Sequence, residues 1–462
     1  MISIKSSPLN IFNKKWLNAG LFLYLFPIAL VSGALVVEII CNIIALNFIY
    51  KSIKYKLKKY YLNLFVYLFL IFYLYLTGRS LFSVDPLFSI KTSLFYFRFL
   101  FFSLGVWYLL DTIPRAKEKF GISIIFTISL VLLGLYVEYF SNNSLFGYKD
   151  LIPTRLYSFF GTEPIVGSYL SRLSPFIYFF VLFSNIFNLK KTNHLLIAIS
   201  FIVLLNLGIF LSGERTSFVF AILIFIIVFF LTKSHFKIKV FISIFSLVLI
   251  LLTLSYDKNI KTRMIDFTKL QLSKKVEIVD ENISGYNNLD NQLFALALKR
   301  KESASKIPGF GNYYSSLYYS GYLMFQDNIW FGQGPKMFRK LCGTEKFIVL
   351  GGCSTHPHNT YVQLLAEVGI FGIAIPLIIF LFLCVLFANQ FLQIIKNIFF
   401  KEKLILIEDE MICYLCALFI TLFPFSPNGN FFNNWLSFVY FLPVGFILFV
   451  YNKKEKNAHN YN

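Results

Sequence analysis

Long apolar stretches recur along the whole chain, and they limit its fold more than any other feature of the sequence. Each stretch is near or somewhat below the ~20 residues that a helix needs to cross a bilayer. With 57% hydrophobic residues over 462 positions, a soluble protein could not bury this much apolar surface. The sequence therefore predicts an all-α polytopic membrane protein with about twelve transmembrane helices. The predicted spans are 17–50, counted as two short helices with a break near Ser32 and Gly33, and then 62–77, 92–113, 122–141, 168–187, 194–211, 217–232, 240–256, 361–388, 411–424 and 435–451.

The distribution of basic residues predicts the orientation of these spans. The formal charge of +20 would suit a nucleic-acid partner, but most Lys and Arg residues lie in short connections between apolar runs, as in membrane proteins. The first apolar run lacks a small-residue cleavage site, so we expect it to be a retained span. Both termini are predicted to be cytoplasmic, with no nucleic-acid partner. The short outside connections then hold few cations, which are Arg79, Lys91, Lys149, Arg155 and Arg215.

One connection is far longer than the others and divides the chain. A large periplasmic loop, 257–360, would separate an N-terminal bundle of about nine spans, 1–256, from about three C-terminal spans, 361–462. A helix is expected over 292–306, followed by an aromatic run over 310–325. A loop of this length without a role would be unusual, and its Tyr and Trp rings suit sugar faces as well as the membrane interface. Cys342 and Cys353 are predicted to form a disulfide on this oxidising side.

The end of this loop carries the most informative polar segment. Pro357 disfavours helix before it and Asn359 is a good N-cap, so a helix is expected to begin at about Thr360 and to enter the lipid. His358 would then lie beside a helix N-terminus, whose unsatisfied N–H groups can bind phosphate. An imidazole in that position could move a proton next to a bound phosphate. The alternative is a capped helix start with an interfacial histidine.

Two further outside segments carry charge, 155–164 and the turn 212–217. Arginine suits a diphosphate because its guanidinium can bind bidentately. Taken alone, Arg215 could pair with Glu214 or snorkel, and Arg155 could be an ordinary loop charge. Taken together with His358, they predict a site for a lipid diphosphate. The chain has no HExxH, no Gly-rich nucleotide loop and no DxD on the outside face, so neither a metal nor a cofactor is expected.

Four stretches resemble a known family. HPHNTYVQLLAEVGIFG, at 356–372, resembles the signature of the O-antigen ligase and O-antigen polymerase superfamily, in which His-Asn precedes a Leu-rich helix with Glu and two Gly. SGERTSF resembles its Ser-x-x-Arg turn, RLYSFFGTEPIVGSYL its Arg-containing loop, and FQDNIWFGQGPKMFRKLC the segment that enters the distal part of the large loop. Glu214 stands where a small residue is more usual. The resemblance covers about 150–375 by motif.

This resemblance implies a GT-C-type glycosyltransferase of the bacterial inner membrane with a periplasmic active face. It would transfer a glycan from undecaprenyl diphosphate to an acceptor hydroxyl with inversion, without a metal. Arg155 and Arg215 would bind the diphosphate, and His358 would accept the proton of the hydroxyl. Supporting candidates are Asn359, His356, Glu163 and Glu367, of which Glu367 is expected on the opposite helix face.

Two questions stay open at the level of the sequence. The acceptor is lipid A-core for a ligase and another lipid-linked repeat for a polymerase, and the motifs do not separate the two. The alternative from another class is a multi-span transporter or flippase of lipid-linked oligosaccharide. That class predicts two symmetric halves, whereas no internal repeat is visible here, and it gives no reason for the long loop.

Overall fold

The structure is a computed structural model, which describes residues 19–148, 152, 154–272, 291–305, 312–401 and 406–459. These residues form helices and no strand. The helices are α1 (Gly20–Ser32), α2 (Ala34–Tyr55), α3 (Leu64–Leu81), α4 (Pro86–Ser93), α5 (Phe97–Thr112), α6 (Ala116–Ser141), α7 (Val166–Ile177, continued by a π-helical turn Tyr178–Phe183), α8 (Lys191–Leu211), α9 (Arg215–Leu231), α10 (Phe236–Tyr256), α11 (Lys258–Lys261, continued by a π-helical turn Thr262–Asp266), α12 (Phe267–Leu272), α13 (Asn291–Ser305), α14 (Asn312–Asp327), α15 (Phe338–Leu341), α16 (Thr360–Phe400), α17 (Asp409–Thr421) and α18 (Asn434–His459).

Every predicted span corresponds to a helix of the structure. Among the described residues, nine helical segments are long and apolar enough to cross a membrane, and two apolar helices, α1 and α9, are shorter. The remaining predicted span corresponds to α17, which has only 13 residues. The chain is therefore a multi-pass membrane protein, while the count of twelve spans stays a prediction. The nine segments are Ala34–Tyr55, Leu64–Leu81, Pro86–Thr112, Ala116–Ser141, Val166–Phe183, Lys191–Leu211, Phe236–Tyr256, Thr360–Phe400 and Asn434–Lys453.

The predicted break in the first apolar run is confirmed. Helix α1 ends at Ser32, α2 begins at Ala34, and the single residue between them, Gly33, has φ 117° and ψ 165°. A residue with a Cβ is strained in this conformation, whereas glycine adopts it readily. The two helices pack against each other, so the run forms a helical hairpin with Gly33 at its tip.

The connections that precede α7 and α9 and the start of the long loop lie at one end of the helical bundle, which we call the loop face. The Arg263 Nε donates a hydrogen bond of 3.2 Å to the Gly213 carbonyl, and the Leu156 amide donates one of 3.4 Å to the Ser212 carbonyl. At the other end, Lys117 pairs with Glu410 at 2.8 Å. The loop face thus gathers the charged connections that precede α7 and α9 together with the start of the long loop.

The described part of the long loop has a core of its own. Leu317 and Tyr318 of α14 pack with Phe338 and Phe347, and Ala366 of α16 completes this cluster. The structure joins Cys342 and Cys353 in a disulfide with a Cα–Cα distance of 5.0 Å. Part of the predicted aromatic sugar-facing surface is therefore buried inside the loop.

The helix predicted over 292–306 is confirmed by α13, and the aromatic run predicted over 310–325 lies largely in α14. The loop was predicted to carry exposed Tyr and Trp rings, and Tyr322 and Trp330 are indeed exposed. The parts of the predicted loop at 273–290 and 306–311 lie outside the described residues.

Helix α16 is interrupted at Gly369, which has φ 63° and ψ −165°. The Ile370 amide donates to the Ile329 carbonyl at 3.0 Å, and the Gly334 amide donates to the Glu367 carbonyl at 2.7 Å. A Cβ at Gly369 would collide with the Trp330 carbonyl. The helix predicted over 361–388 is therefore present but kinked at this residue, because residues 360–368 pack with the loop and the remainder of α16 continues as an apolar helix.

Candidate functional site

A cavity of ≈ 1000 Å³ opens at the loop face. Its wall combines the tip of the α1–α2 hairpin, the start of α7, the turn before α9, the long loop and the segment between α17 and α18. His358 lies in this wall, together with Glu163 and Glu214. The volume is in the range of ligand-binding cavities in proteins, and we refer to it as the main cavity.

His358 is held in an unusual backbone conformation. Its φ is 55°, a left-handed value that costs free energy for a residue with a Cβ and persists only where the surroundings enforce it. The Asn428 amide donates a hydrogen bond of 2.7 Å to the His358 carbonyl. The half-buried ring lies edge-on to Tyr314, with 6.1 Å between ring centroids. Burial lowers the pKa of His358 below its ordinary value of 6.5, so the ring is neutral at pH 7 and can accept a proton.

Asn359 caps α16 as predicted, and the helix begins at Thr360. Its Oδ1 accepts hydrogen bonds from the amides of Tyr361 and Val362, at 2.9 and 3.1 Å. Its Nδ2 donates to the Pro424 carbonyl at 2.8 Å. The cap therefore also ties the residue after His358 to the segment that follows α17.

We expect Asn359→Ala to lower the free energy of unfolding by about 1–2 kcal/mol, because a cap and a tether are both lost. Asn63→Ala is a matched control. Asn63 caps α3 away from the loop face and also donates to a carbonyl, that of Tyr60 at 2.8 Å. Thermal unfolding in detergent should show a similar loss for both variants, whereas the activity of the loop face, measured per folded molecule, should fall only for Asn359→Ala. An equal effect of the two variants on that activity would mean that the cap does not position His358.

Three arginines from separate parts of the chain meet at the loop face, and we call them the arginine cluster: Arg155, Arg215 and Arg263. Arg215 is the first residue of α9, and its Nη1 donates to the Thr268 hydroxyl at 3.4 Å. Burial and then the positive charges of Arg155 and Arg215 lower the pKa of Arg263. The two predicted arginines are therefore close to each other, and the sequence interpretation missed the third.

Glu214 has a different role from the one expected. Its carboxylate accepts hydrogen bonds from the amides of Gly167 and Ser168, at 2.7 and 3.0 Å, and from the Ser217 hydroxyl at 2.9 Å. Burial raises the pKa of Glu214 to about 7, although these hydrogen bonds and the charge of Arg155 act in the opposite direction. Glu214 thus binds the N-terminus of α7 to the turn that carries Arg215, which explains why this chain has no small residue there.

Tyr314 of α14 connects the arginine cluster to the histidine. It lies in the wall of the main cavity, its ring contacts that of His358, and it is close enough to Arg215 to interact with its charge. The structure therefore brings His358, Arg155 and Arg215 together at one end of the bundle, although they come from three distant segments.

Arg172 is a buried arginine in the wall of the same cavity. Its side chain is 4% exposed, and its Nη2 donates to Asn428 Oδ1 at 2.7 Å. Its Nε and Nη1 have no hydrogen-bond partner among the described residues. A buried guanidinium with unused donors is costly, so this group is suited to bind an oxygen-rich ligand.

The supporting candidates occupy different environments. His356 contacts His358 with 4.1 Å between ring centroids, but burial and then the charge of His358 lower the pKa of His356 to about 3, which makes it a weak base. Glu163 is exposed and lies in the cavity wall. Glu367 is fully buried and accepts hydrogen bonds from the Phe338 amide and Gln363 Nε2, both at 3.0 Å. Glu367 therefore anchors the loop.

The residues that sequence reasoning missed differ in the signal they offered. An arginine within a predicted span is expensive and is commonly functional, so Arg172 could have been selected on that ground. Arg263 and Tyr314 lie in a long polar loop among many similar residues, and nothing local distinguishes them. Among the described residues, no group of three or more His, Cys, Asp or Glu side chains is placed to hold a metal ion.

The comparison with protein families agrees with the resemblance drawn from the motifs. Residues 198–377 match the family model described as O-Antigen ligase. No curated protein matches the chain significantly. The matched region contains Arg215, Arg263 and His358, whereas Arg155 precedes it. Residues 198–377 are therefore similar to the O-antigen ligase family, which supports the resemblance to the O-antigen ligase and O-antigen polymerase superfamily.

Proposed function

We propose that the protein is a GT-C-type glycosyltransferase of surface polysaccharide biosynthesis, which transfers a glycan from undecaprenyl diphosphate to a saccharide hydroxyl at the periplasmic face of the inner membrane. The observation that carries this proposal is that a neutral histidine lines a cavity at the loop face and that Tyr314, in the same wall, contacts both this histidine and the arginine cluster. A base next to a set of permanent cations suits a reaction in which a proton leaves one partner and a diphosphate leaves the other.

The proposed step breaks one bond and forms one bond at the anomeric carbon of the donor. The acceptor oxygen attacks this carbon, its proton passes to the neutral ring of His358, and the bond to the diphosphate oxygen breaks. Because attack and departure occur on opposite faces, the configuration inverts. General-base catalysis of this kind typically contributes about 10²–10⁴-fold to the rate.

The arginine cluster stabilises the negative charge that develops on the departing diphosphate. Guanidinium groups keep their charge at any relevant pH and bind phosphate oxygens bidentately. Their mutual repulsion is relieved when the anion binds, and the hydrogen bonds of Glu214 fix the turn before Arg215 in advance. Such preorganised charge is commonly the largest single contribution to catalysis.

Arg172 and Asn428 complete the proposed site from the side of α7. In this proposal the Arg172 Nε and Nη1, which have no partner among the described residues, bind oxygen atoms of the substrate, while Asn428 connects this arginine to the backbone of His358. Binding of substrate oxygens at Arg172 would therefore act on the segment that positions the base.

The test is a profile of surface polysaccharide by gel in a deletion strain, with and without the wild-type gene. We expect the deletion strain to lack long surface glycan and the gene to restore it. Core carrying a single repeat in the deletion strain would identify a polymerase, and bare core with accumulated lipid-linked polymer would identify a ligase. An unchanged ladder in the deletion strain would refute the proposal.

A further inference from the structure

A second cavity, of ≈ 350 Å³, also lies at the loop face. We call it the cationic cavity, because its wall contains four cations and one carboxylate. The cations are Lys91, Arg98, Lys336 and Arg339, and the carboxylate is Glu38. Lys336 and Arg339 also line the main cavity, so the two cavities share a wall.

The single carboxylate of the cationic cavity is already occupied. Glu38 Oε1 pairs with Arg98 Nη1 at 2.8 Å, and Glu38 Oε2 accepts a hydrogen bond from Asn434 Nδ2 at 2.7 Å. Arg98 Nη2 donates to Asn434 Oδ1 at 2.6 Å. This closed set of contacts leaves Lys91, Lys336 and Arg339 without an acidic group in the wall.

The loop segment that carries two of these cations is fixed from several sides. Lys336 has φ 60°, a left-handed conformation that persists only where the surroundings enforce it. The neighbouring Pro335 carbonyl accepts a hydrogen bond from the Ser89 hydroxyl at 2.9 Å. The Phe338 amide donates to Glu367 Oε1 at 3.0 Å. Lys336 and Arg339 are thus held in advance on the wall between the two cavities.

The cations that the sequence analysis predicted on the outside face lie in two kinds of environment. Arg79 has a structural role, because its Nε donates to the Phe331 carbonyl at 2.9 Å. Lys91 lies in the cationic cavity. Burial and then the charge of Arg339 lower the pKa of Lys336, whereas the charge of Glu367 raises it, and the like charges of Lys336 and Arg339 on one wall repel each other. An anion in the cavity would relieve this repulsion, and phosphate is an anion that both Lys and Arg bind in proteins.

We propose that the cationic cavity binds a phosphate group of the acceptor glycolipid, while the arginine cluster holds the diphosphate of the donor. This inference rests on the proposed glycosyltransferase function. The shared wall of Lys336 and Arg339 would place the saccharide of the acceptor in the main cavity, in reach of His358. The phosphate would come from the diphosphate of a second lipid-linked repeat in a polymerase, or from phosphorylated lipid A-core in a ligase.

The test is native mass spectrometry of the full-length protein in nanodiscs, with undecaprenyl diphosphate as the probe and undecaprenol as the neutral control. A polymerase should bind two undecaprenyl diphosphate molecules. The double variant Lys91→Gln/Arg339→Gln should lose one of them, because each charge removed weakens phosphate binding by about 10-fold or more. Arg155→Gln/Arg215→Gln should lose the other. Lys340→Gln is the matched control, since Lys340 adjoins Arg339, pairs with Asp85 at 3.5 Å and lies outside both cavity walls.

A second probe, bisphosphorylated lipid A, distinguishes the two sources. A ligase should bind one lipid A and one undecaprenyl diphosphate. Lys91→Gln/Arg339→Gln should weaken the binding of lipid A and leave the binding of undecaprenyl diphosphate unchanged. The proposal is overturned if this variant binds both probes as wild type does, or if phosphatidylglycerol competes as well as the probes do. If Arg155→Gln/Arg215→Gln also binds undecaprenyl diphosphate as wild type does, the proposed function fails instead.

Discussion

Replacing His358 with Ala is expected to lower the rate of glycan transfer by about 10²–10⁴-fold, the usual contribution of a general base. The adjacent ring of His356 cannot replace His358 as the base, because burial lowers the pKa of His356 to about 3. Transfer from lipid-linked donor, measured with purified protein in nanodiscs, is the direct assay. His358→Asn is a companion variant, because Asn tolerates the left-handed backbone of this residue better than Ala does.

The pH dependence of transfer separates catalysis by His358 from a structural role. Because burial lowers the pKa of His358, the rate of the wild-type protein should fall on acidification with an inflection below pH 6.5. His358→Asn should lose this inflection while it keeps the thermal unfolding midpoint of the wild type. His356→Ala should retain the inflection. If His358→Asn transfers glycan at the wild-type rate with the same pH profile, His358 is not the base.

Replacing Arg215 with Gln is expected to lower the rate of transfer by about 10²–10³-fold, as observed when one preorganised donor to a developing charge is removed. Arg155→Gln should have an effect of the same order, because both arginines bind the same diphosphate in the proposed mechanism. Arg215→Lys should recover only part of the loss, since Lys keeps the charge but cannot bind bidentately. Single-turnover rates measure the contribution of the arginines to the chemical step, and the affinity for undecaprenyl diphosphate measures their contribution to donor binding.

Arg300→Gln is the control for these arginine variants. Arg300 lies in the long loop, where its Nη1 donates to the carbonyls of Glu345 and Ile348 at 2.9 and 3.1 Å, and it lies outside both cavity walls. Transfer by Arg300→Gln should stay close to that of the wild type. If Arg155→Gln and Arg215→Gln both transfer glycan at the wild-type rate, the arginine cluster has only a structural role at the loop face.

Local chemistry made several features predictable from the sequence. The apolar runs identified the membrane helices, because a bilayer requires continuous hydrophobic length. Gly33 marked the tip of the first hairpin, and Asn359 marked the start of α16, because turns and caps depend on neighbouring residues. The charged segments containing Arg155, Arg215 and His358 were recognisable because cations are scarce in the short connections on that side of the predicted topology.

Features that depend on distant partners were not predictable in this way. The break at Gly369 requires the carbonyls of Ile329 and Trp330, some 40 residues earlier in the chain, and within an apolar run a glycine gives no sign of this. Glu214 appeared to be a partner for its neighbour Arg215, but its hydrogen bonds go to the start of α7. Arg263 joins the arginine cluster only through the tertiary fold.

The interruption of α16 at Gly369 also separates the site from changes in the bilayer. Spans tilt when the thickness of the membrane does not match their hydrophobic length, and a continuous helix would carry that tilt to its capped end. Here the loop binds α16 on both sides of the interruption, at the Glu367 carbonyl before it and at the Ile370 amide after it, and these contacts oppose the transmission of a tilt to the capped end. The histidine can therefore keep its position in membranes of different thickness and lipid composition.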